Sequence, residues 1–361
     1  MRGVMNSPLF IPLFAETMKK ITLNAYAKIN LSLVVTGRRP DGYHNIRSLM
    51  QGIDLYDVIE ITKCPENGTK YNLPHCTLGG IDVYLCTDVK TIPTDMSNLA
   101  LRGIAAVLDA CSEGADDAVS SVMSGYAASS AKPGDLVVSI EKRLPVAAGI
   151  AGGSGNAAAC MLGMNALLGY PLSLRELMEK GARVGADVPF SLLMNARRNN
   201  GTLAGLRGLE EASTAAWIGG IGDLVEPATP EAWHIVMANP GIAVSTKAAY
   251  EAIDAILEQG ADTASGSEDN STGSGNDRDN QYPHFVNDLE SYTLRDYPEA
   301  ARIKAVMQDR LDADFVMMSG SGPTMIAYYK DADQADKGFA RMQTLCEEEK
   351  LWRTWKTSTG I

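Results

Sequence analysis

The chain has 361 residues, 45% of them hydrophobic, and a formal charge of −12 at pH 7. That length and apolar content supply one or two buried cores, and the acidic balance excludes an extended nucleic-acid surface while leaving room for a local basic pocket. The six cysteines show neither C-x-x-C nor a histidine partner at metal-ligand spacing, and no apolar run reaches 18 residues, so no zinc centre, disulfide framework or membrane span is expected.

Residues 8–14 are apolar but short and broken by prolines, so 1–17 read as an N-terminal extension or a wrongly chosen start, not a signal peptide. Residues 21–35 (ITLNAYAKINLSLVV) carry enough alternation for one or two strands. Lys28 and Asn30 lie two apart inside them and so share a face. A lysine there is either an edge residue with its head in water or part of a polar pocket. The turn GRRPDGYH (37–44) ends in Tyr43 and His44, which either serve a base or pack on the loop. A strand over 48–62, short strands over 64–93 and an amphipathic helix over 98–110, capped at Ser97 or Asn98, follow. Residues 112–134, rich in Ser, Ala, Gly and Asp, read as a solvated loop.

After a strand over 136–140 comes KRLPVAAGIAGGSGN (142–156). Gly149, Gly152, Gly153 and Gly155 let backbone amides approach an anion, and a helix opening near Ser154 sets the positive end of its dipole behind them. Ser154 and Asn156 either cap that helix or reach a phosphate or its metal. The stretch is not a GxxxxGK[ST] loop, and a plain glycine-rich turn before a packed helix is the alternative. A helix over 173–184 has Ser173 and Glu176 at the capping-box positions. Asp187, ahead of Pro189, either caps the next helix or takes part in chemistry, and the two are compatible. Residues 195–222 read as an irregular surface excursion, 233–239 as a strand, 245–257 as a helix and 260–280 as a disordered insert. Helices over 300–310 and 333–349, strands over 315–318 and 325–329, a second glycine turn SGSGPT (319–324) and a strand-like tail complete the pattern.

The order AKINL, PxxxGxxGGS, GADVP and SGSGPT resembles the GHMP kinase superfamily. Within it, GRRPDGYH, ANPGIAVSTKAAY (238–250) and NDLE (287–290) resemble the branch acting on 4-diphosphocytidyl-2-C-methyl-D-erythritol in the non-mevalonate isoprenoid pathway. The resemblance covers about residues 19–355. It implies an α+β, two-domain GHMP kinase fold with the active site in the interdomain cleft. The ATP-binding domain is expected over 18–188 and the C-terminal domain over 189–361. It further implies ATP-dependent phosphorylation of the substrate's 2-hydroxyl with Mg²⁺, in a cytoplasmic monomer or homodimer whose partner is a small molecule and neither nucleic acid nor membrane.

Residue by residue, Lys28 and Asp187 match the catalytic pair. Pro145, Val146, Ala147, Ala148, Gly149, Ile150, Ala151, Gly152, Gly153, Ser154 and Gly155 match the ATP loop, with Ser154 near the phosphates and the magnesium ion. Tyr43 and Tyr250 match aromatic positions that sandwich the cytosine, His44 the residue that reads the base edge, and Asn30 a polar contact beside the acceptor hydroxyl. Asn287 and Asp288 match a motif with a structural role. Many members read GLGGGSS where this chain has Ala151 and Gly155. Ala151 is harmless at negative φ, whereas Gly155 removes a hydroxyl contact worth about 0.5–1.5 kcal/mol. The usual GGTAxxxGxGE is broken into Gly201-Thr202 and, after an insertion, residues 219–223, so its substrate contacts are not expected to carry over intact. A kinase for homoserine or mevalonate is the nearer alternative and a non-catalytic nucleotide-binding member the farther one. The aromatic positions argue against the first and the retained Lys28 and Asp187 against the second.

Overall fold

The computed structural model describes residues 19–64, 75–113, 135–261, 285–350 and 352–360. The extension over 1–17 and most of the stretches 112–134 and 260–280 lie outside the described residues. Two long antiparallel strands, β1 (Lys20–Arg38) and β2 (His44–Lys63), form the spine. The far edge of β2 pairs with β6 (Ala215–Gly219) along its first half and with β5 (Leu136–Glu141) along its second. β4 (Ile81–Thr87) joins β5 in parallel, β3 (His75–Leu78) joins β4, and β7 (Leu224–Pro227) joins β6, completing a seven-stranded sheet.

Helices α1 (Leu99–Glu113), α2 (Gly152–Leu167), α3 (Leu174–Val184) and α4 (Val188–Arg198) pack with this sheet. α2 is buried on every side from Ser154 to Leu167, as a helix without a polar face must be. Small residues let its neighbours close in: a Cβ on Gly103 of α1 would stand 2.9 Å from the Ala157 carbonyl. The second unit is a four-stranded antiparallel sheet, β11 (Arg353–Ser358), β8 (His234–Asn239), β10 (Met325–Tyr329) and β9 (Phe315–Met318), with α5 (Thr246–Ala261), α6 (Glu290–Asp296), α7 (Pro298–Arg310) and α8 (Ala332–Glu349). No helix among the described residues is long and apolar enough to cross a membrane.

Register shifts interrupt β1 between Tyr26 and Lys28, Asn30 and Ser32, and Val35 and Gly37. The first shift is of two residues on β2 and the other two are of one each. Across the first two, the odd-numbered side chains of β1 change from one core to the other. Ile21, Leu23 and Ala25 accordingly belong to the large core shared with the helices. Ala27, Ile29 and Leu31 belong to a second core with Ile235, Met237 and Ile326 of the other sheet, and Leu33 and Val35 return to the first. Lys28 and Asn30 alternate with the second set, so the first shift turns them away from that core.

The outer edge of β1 faces no full strand, yet its amides are accounted for. Asn24 and Tyr26 donate to the Oδ1 atoms of Asn199 and Asn195 at 3.0 and 2.9 Å. Lys28 donates to the Ile150 carbonyl at 3.1 Å and Leu33 to that of Val286 at 2.8 Å. Val35 donates to Asp288 Oδ2 at 2.7 Å, and Asn287 Nδ2 donates to the Met318 and Gly320 carbonyls.

Two expectations are corrected. Residues 215–219, read as part of a surface excursion, form the wholly buried strand β6 against β2. The first sheet consequently runs to Pro227, past residue 188, where the ATP-binding domain was expected to end. Replacing Asn195, fully buried in α4, by leucine strands the Tyr26 amide. The expected loss is about 2 kcal/mol of unfolding free energy, read as a lowered urea midpoint at unchanged slope.

Candidate active site

β5 hands the chain to the glycine-rich loop, and Asp57 sets the exit. Its fully buried carboxylate accepts the amides of Arg143 and Leu144, both at 2.8 Å, and pairs with the Lys142 ammonium. That ammonium is 3.1 Å from where a Cβ on Gly152 would stand, so a cation is held at the head of α2. Positive φ recurs at alternate residues, Ala147 (53°), Gly149 (74°) and Ala151 (55°). Such alternation turns successive N–H groups inward and makes an anion-binding concavity. α2 opens at Gly152 with Ala151 as N-cap and no side-chain cap bond. Neither Ser154 nor Asn156 caps it, which leaves both free for a ligand. Asn156 Oδ1 is buried without a partner among the described residues, an orphan acceptor that suits a nucleotide donor or its metal.

Lys28, 3% exposed, donates to Asn30 Oδ1 at 2.9 Å, and its Nζ lies 3.6 Å from Asp187 Oδ1. Asn30 Nδ2 donates to Ser48 Oγ at 2.8 Å, and that hydroxyl donates to the Ser32 carbonyl at 2.5 Å. The relay fixes which end of the Asn30 amide faces the lysine. Asp187 stands at the N-cap of α4 but makes no cap bond. Its carboxylate is instead drawn by the ammonium and by the positive end of the helix.

At the other end, the His44 and Tyr250 rings stack with centroids 5.1 Å apart and planes inclined by 22°. His44 Nε2 is 2.6 Å from Asp254 Oδ1, and Arg38 Nε is 3.5 Å from the other oxygen. Burial, and then the Asp187 charge, push the Tyr250 phenol up to about 12, so it stays protonated around neutral pH. Tyr43 is 62% exposed and has no ring partner among the described residues. The expected pair of Tyr43 and Tyr250 around a base is therefore not assembled here. Tyr43 closes the foot of the 39–43 turn, its carbonyl accepting the Arg39 amide at 2.7 Å, whereas His44 is already held in β2 and lies on Tyr250.

Lys28, Asn30, Tyr43, His44, Asp187 and Tyr250 line one cleft of about 1340 Å³, together with Pro145–Gly149 and Ala151–Ser154. Ile150 and Gly155 do not line it. Ile150 is buried in the second core. The strand's face switch, the loop and the heads of α2 and α4 thus converge on one place.

The N-terminal GHMP kinase domain matches residues 126–195 and the C-terminal GHMP kinase domain 276–348. The 4-diphosphocytidyl-2-C-methyl-D-erythritol kinase of Alkaliphilus oremlandii (strain OhILAs) is 33% identical over 95% of this chain and 100% of its own. That of Geobacter sulfurreducens is 34% identical over 90% of this chain and 96% of its own. The chain belongs to the 4-diphosphocytidyl-2-C-methyl-D-erythritol kinase family of GHMP kinases. A crystal structure of a 4-(cytidine 5′-diphospho)-2C-methyl-D-erythritol kinase aligns with TM-score 0.61 at 25% identity, covering 94% of this chain and 98% of that one. A homoserine kinase from Cytophaga hutchinsonii aligns at 0.54 with 13% identity over 96% of both chains, a likeness of fold alone.

Against that family pattern, the two departures in the loop have definite structural readings. Ala151 is at φ 55°, not the negative value at which an alanine is harmless, and a non-glycine residue there costs about 1–2 kcal/mol. A Cβ on Gly155 would stand 2.7 Å from the Tyr26 carbonyl. This position therefore faces β1, and a hydroxyl here would not have reached a phosphate. The altered 219–223 segment returns to the site: Ile221, Gly222 and Asp223 line the cleft, and a Cβ on Gly222 would stand 2.6 Å from the Ala186 carbonyl. The sequence reading also missed Asp254 and Arg38. The spacing of Asp254 four residues after Tyr250 was the available signal. Gly155→Ser is expected to lower stability by about 1–3 kcal/mol through overpacking without tightening ATP binding, while Ala151→Gly leaves stability level or raises it by up to about 1 kcal/mol. Thermal denaturation and nucleotide titration of the two variants check both.

Proposed function

We propose that the protein transfers the terminal phosphoryl group of ATP to the 2-hydroxyl of 4-diphosphocytidyl-2-C-methyl-D-erythritol, in the non-mevalonate route to isoprenoid precursors. The observation that carries this reading is the Lys28–Asp187 pair, 3.6 Å apart, in the same cleft as the glycine-rich loop of a chain whose relatives bear that substrate in their name. Phosphoryl transfer asks mainly for positioning and for neutralisation of charge spread over the phosphoryl oxygens. The inward-facing amides of residues 149–154 and the head of α2 hold the phosphates. Lys142, fixed by Asp57, adds a positive charge beside them.

The acceptor oxygen forms its bond to the γ-phosphorus as the bridge to the β-phosphate breaks, with ADP leaving. Asp187 takes the hydroxyl proton, and Lys28, aimed by Asn30, offsets the charge that grows on the acceptor oxygen. Among the described residues no group of three or more His, Cys, Asp or Glu side chains is placed to hold a metal. A magnesium ion would rest on the nucleotide phosphates with the Ser154 hydroxyl, supplying further charge neutralisation. At the far end Tyr250 and His44 serve the base, with Tyr43 free to close over it.

A coupled ADP-release assay with ATP and Mg²⁺ tests the reading by comparing the cytidine compound with mevalonate and homoserine. Turnover is expected with the first alone. Lys28→Met and Asp187→Asn are each expected to lower kcat by at least about a hundredfold, and near-normal turnover in both would remove their assigned roles. Tyr43→Ala should raise KM for the cytidine substrate by roughly tenfold while sparing kcat, since one stacking contact contributes about 1–3 kcal/mol.

A further inference from the structure

His44 opens β2 and is held from two directions by one helix. Tyr250 and Asp254 stand four residues apart on α5, hence on one face. The first stacks on the imidazole and the second meets its Nε2 at 2.6 Å. A carboxylate only accepts hydrogen bonds, so the proton of this contact lies on Nε2. Arg38 lies 3.5 Å from the other carboxylate oxygen and so keeps Asp254 from turning away. The second ring nitrogen, Nδ1, has no hydrogen-bond partner among the described residues and is not sealed from solvent. His44 and Asp254 both line the cleft. A neutral imidazole protonated at Nε2 presents a bare lone pair at Nδ1.

We propose that Asp254 is a specificity-determining positioning residue. By fixing the Nε2–H form of His44, it makes Nδ1 an acceptor for the exocyclic amino group of cytosine and turns away uracil, which carries a carbonyl oxygen at that place. The proposal rests on the cytidine reading above and adds to it the group that sets the base preference. With cytosine the amino group donates to Nδ1. With uracil two acceptors face each other and neither is satisfied, which lowers binding by roughly ten- to a hundredfold.

Two measurements test it. The first is the nitrogen-15 spectrum of the imidazoles at pH 8.5, with the His44 signals assigned by their absence from His44→Gln. Wild type is expected to show Nε2 protonated and Nδ1 bare. The second is the ratio of kcat/KM for the cytidine substrate to that for its uridine counterpart, in wild type and in Asp254→Asn. The asparagine has the same shape, but its amide can turn either end to the ring, so the tautomer is no longer imposed. The ratio is expected to fall at least about tenfold with KM for ATP unchanged, which also shows the variant is folded. A proton on Nδ1 in wild type, or an unchanged ratio in Asp254→Asn, would overturn the role given to Asp254. Absence of wild-type turnover with the cytidine substrate would instead overturn the functional reading and the base preference with it.

Discussion

A strand bonded along both edges cannot slide, and β1 is bonded along its outer edge by pieces of chain from three different places. Asn195 near the end of α4 with Asn199 just after it, the glycine-rich loop, and residues 285–288 each take part. Because the register is locked, the shifts around residues 27 and 31 always turn the same side chains outward. Lys28 can then be almost fully buried without belonging to a hydrophobic core. Its ammonium is satisfied by Asn30 and Asp187, as a buried cation requires, and the same arrangement keeps it on the wall of the cleft.

Carboxylates organise the cleft in three places. Asp57 anchors the loop and Lys142, Asp187 faces Lys28, and Asp254 faces His44 and Arg38. In each case a buried or half-buried acid holds a basic side chain where a charged or polar ligand would meet it. A chain with net charge −12 thereby keeps a cleft rich in cations, since the acids that neutralise them lie behind, or beside, the basic groups. An overall acidic balance thus says little about the sign of charge at the site.

Features that depend on a few neighbouring residues were legible in the sequence. The Ser173–Glu176 capping box forms as read, the common face of Lys28 and Asn30 brings their side chains together, and a helix opens beside Ser154 as expected. Features set by distant partners were not. β6 is bordered by Ser213, Thr214 and a run of glycines that suggest a loop, and only its pairing with Leu49 and Met50 makes it a strand. Asp254 acquires its meaning from a histidine 210 residues away. The left-handed backbone of Ala151 follows from where the loop must leave β5 and enter α2, which no local propensity would have favoured.

The contact between the two glycine turns has a further consequence. Gly149 lacks a side chain because one would collide with the Ser319 carbonyl and stand 2.9 Å from that of Gly322, while the Ser319 hydroxyl donates back to the Gly149 carbonyl across 170 residues of sequence. The glycine-rich loop is thus half of a two-part joint. Grafted alone onto another kinase of this fold, it would arrive without the surface that shapes it. In a chimera, the two turns are the smallest unit that can be exchanged.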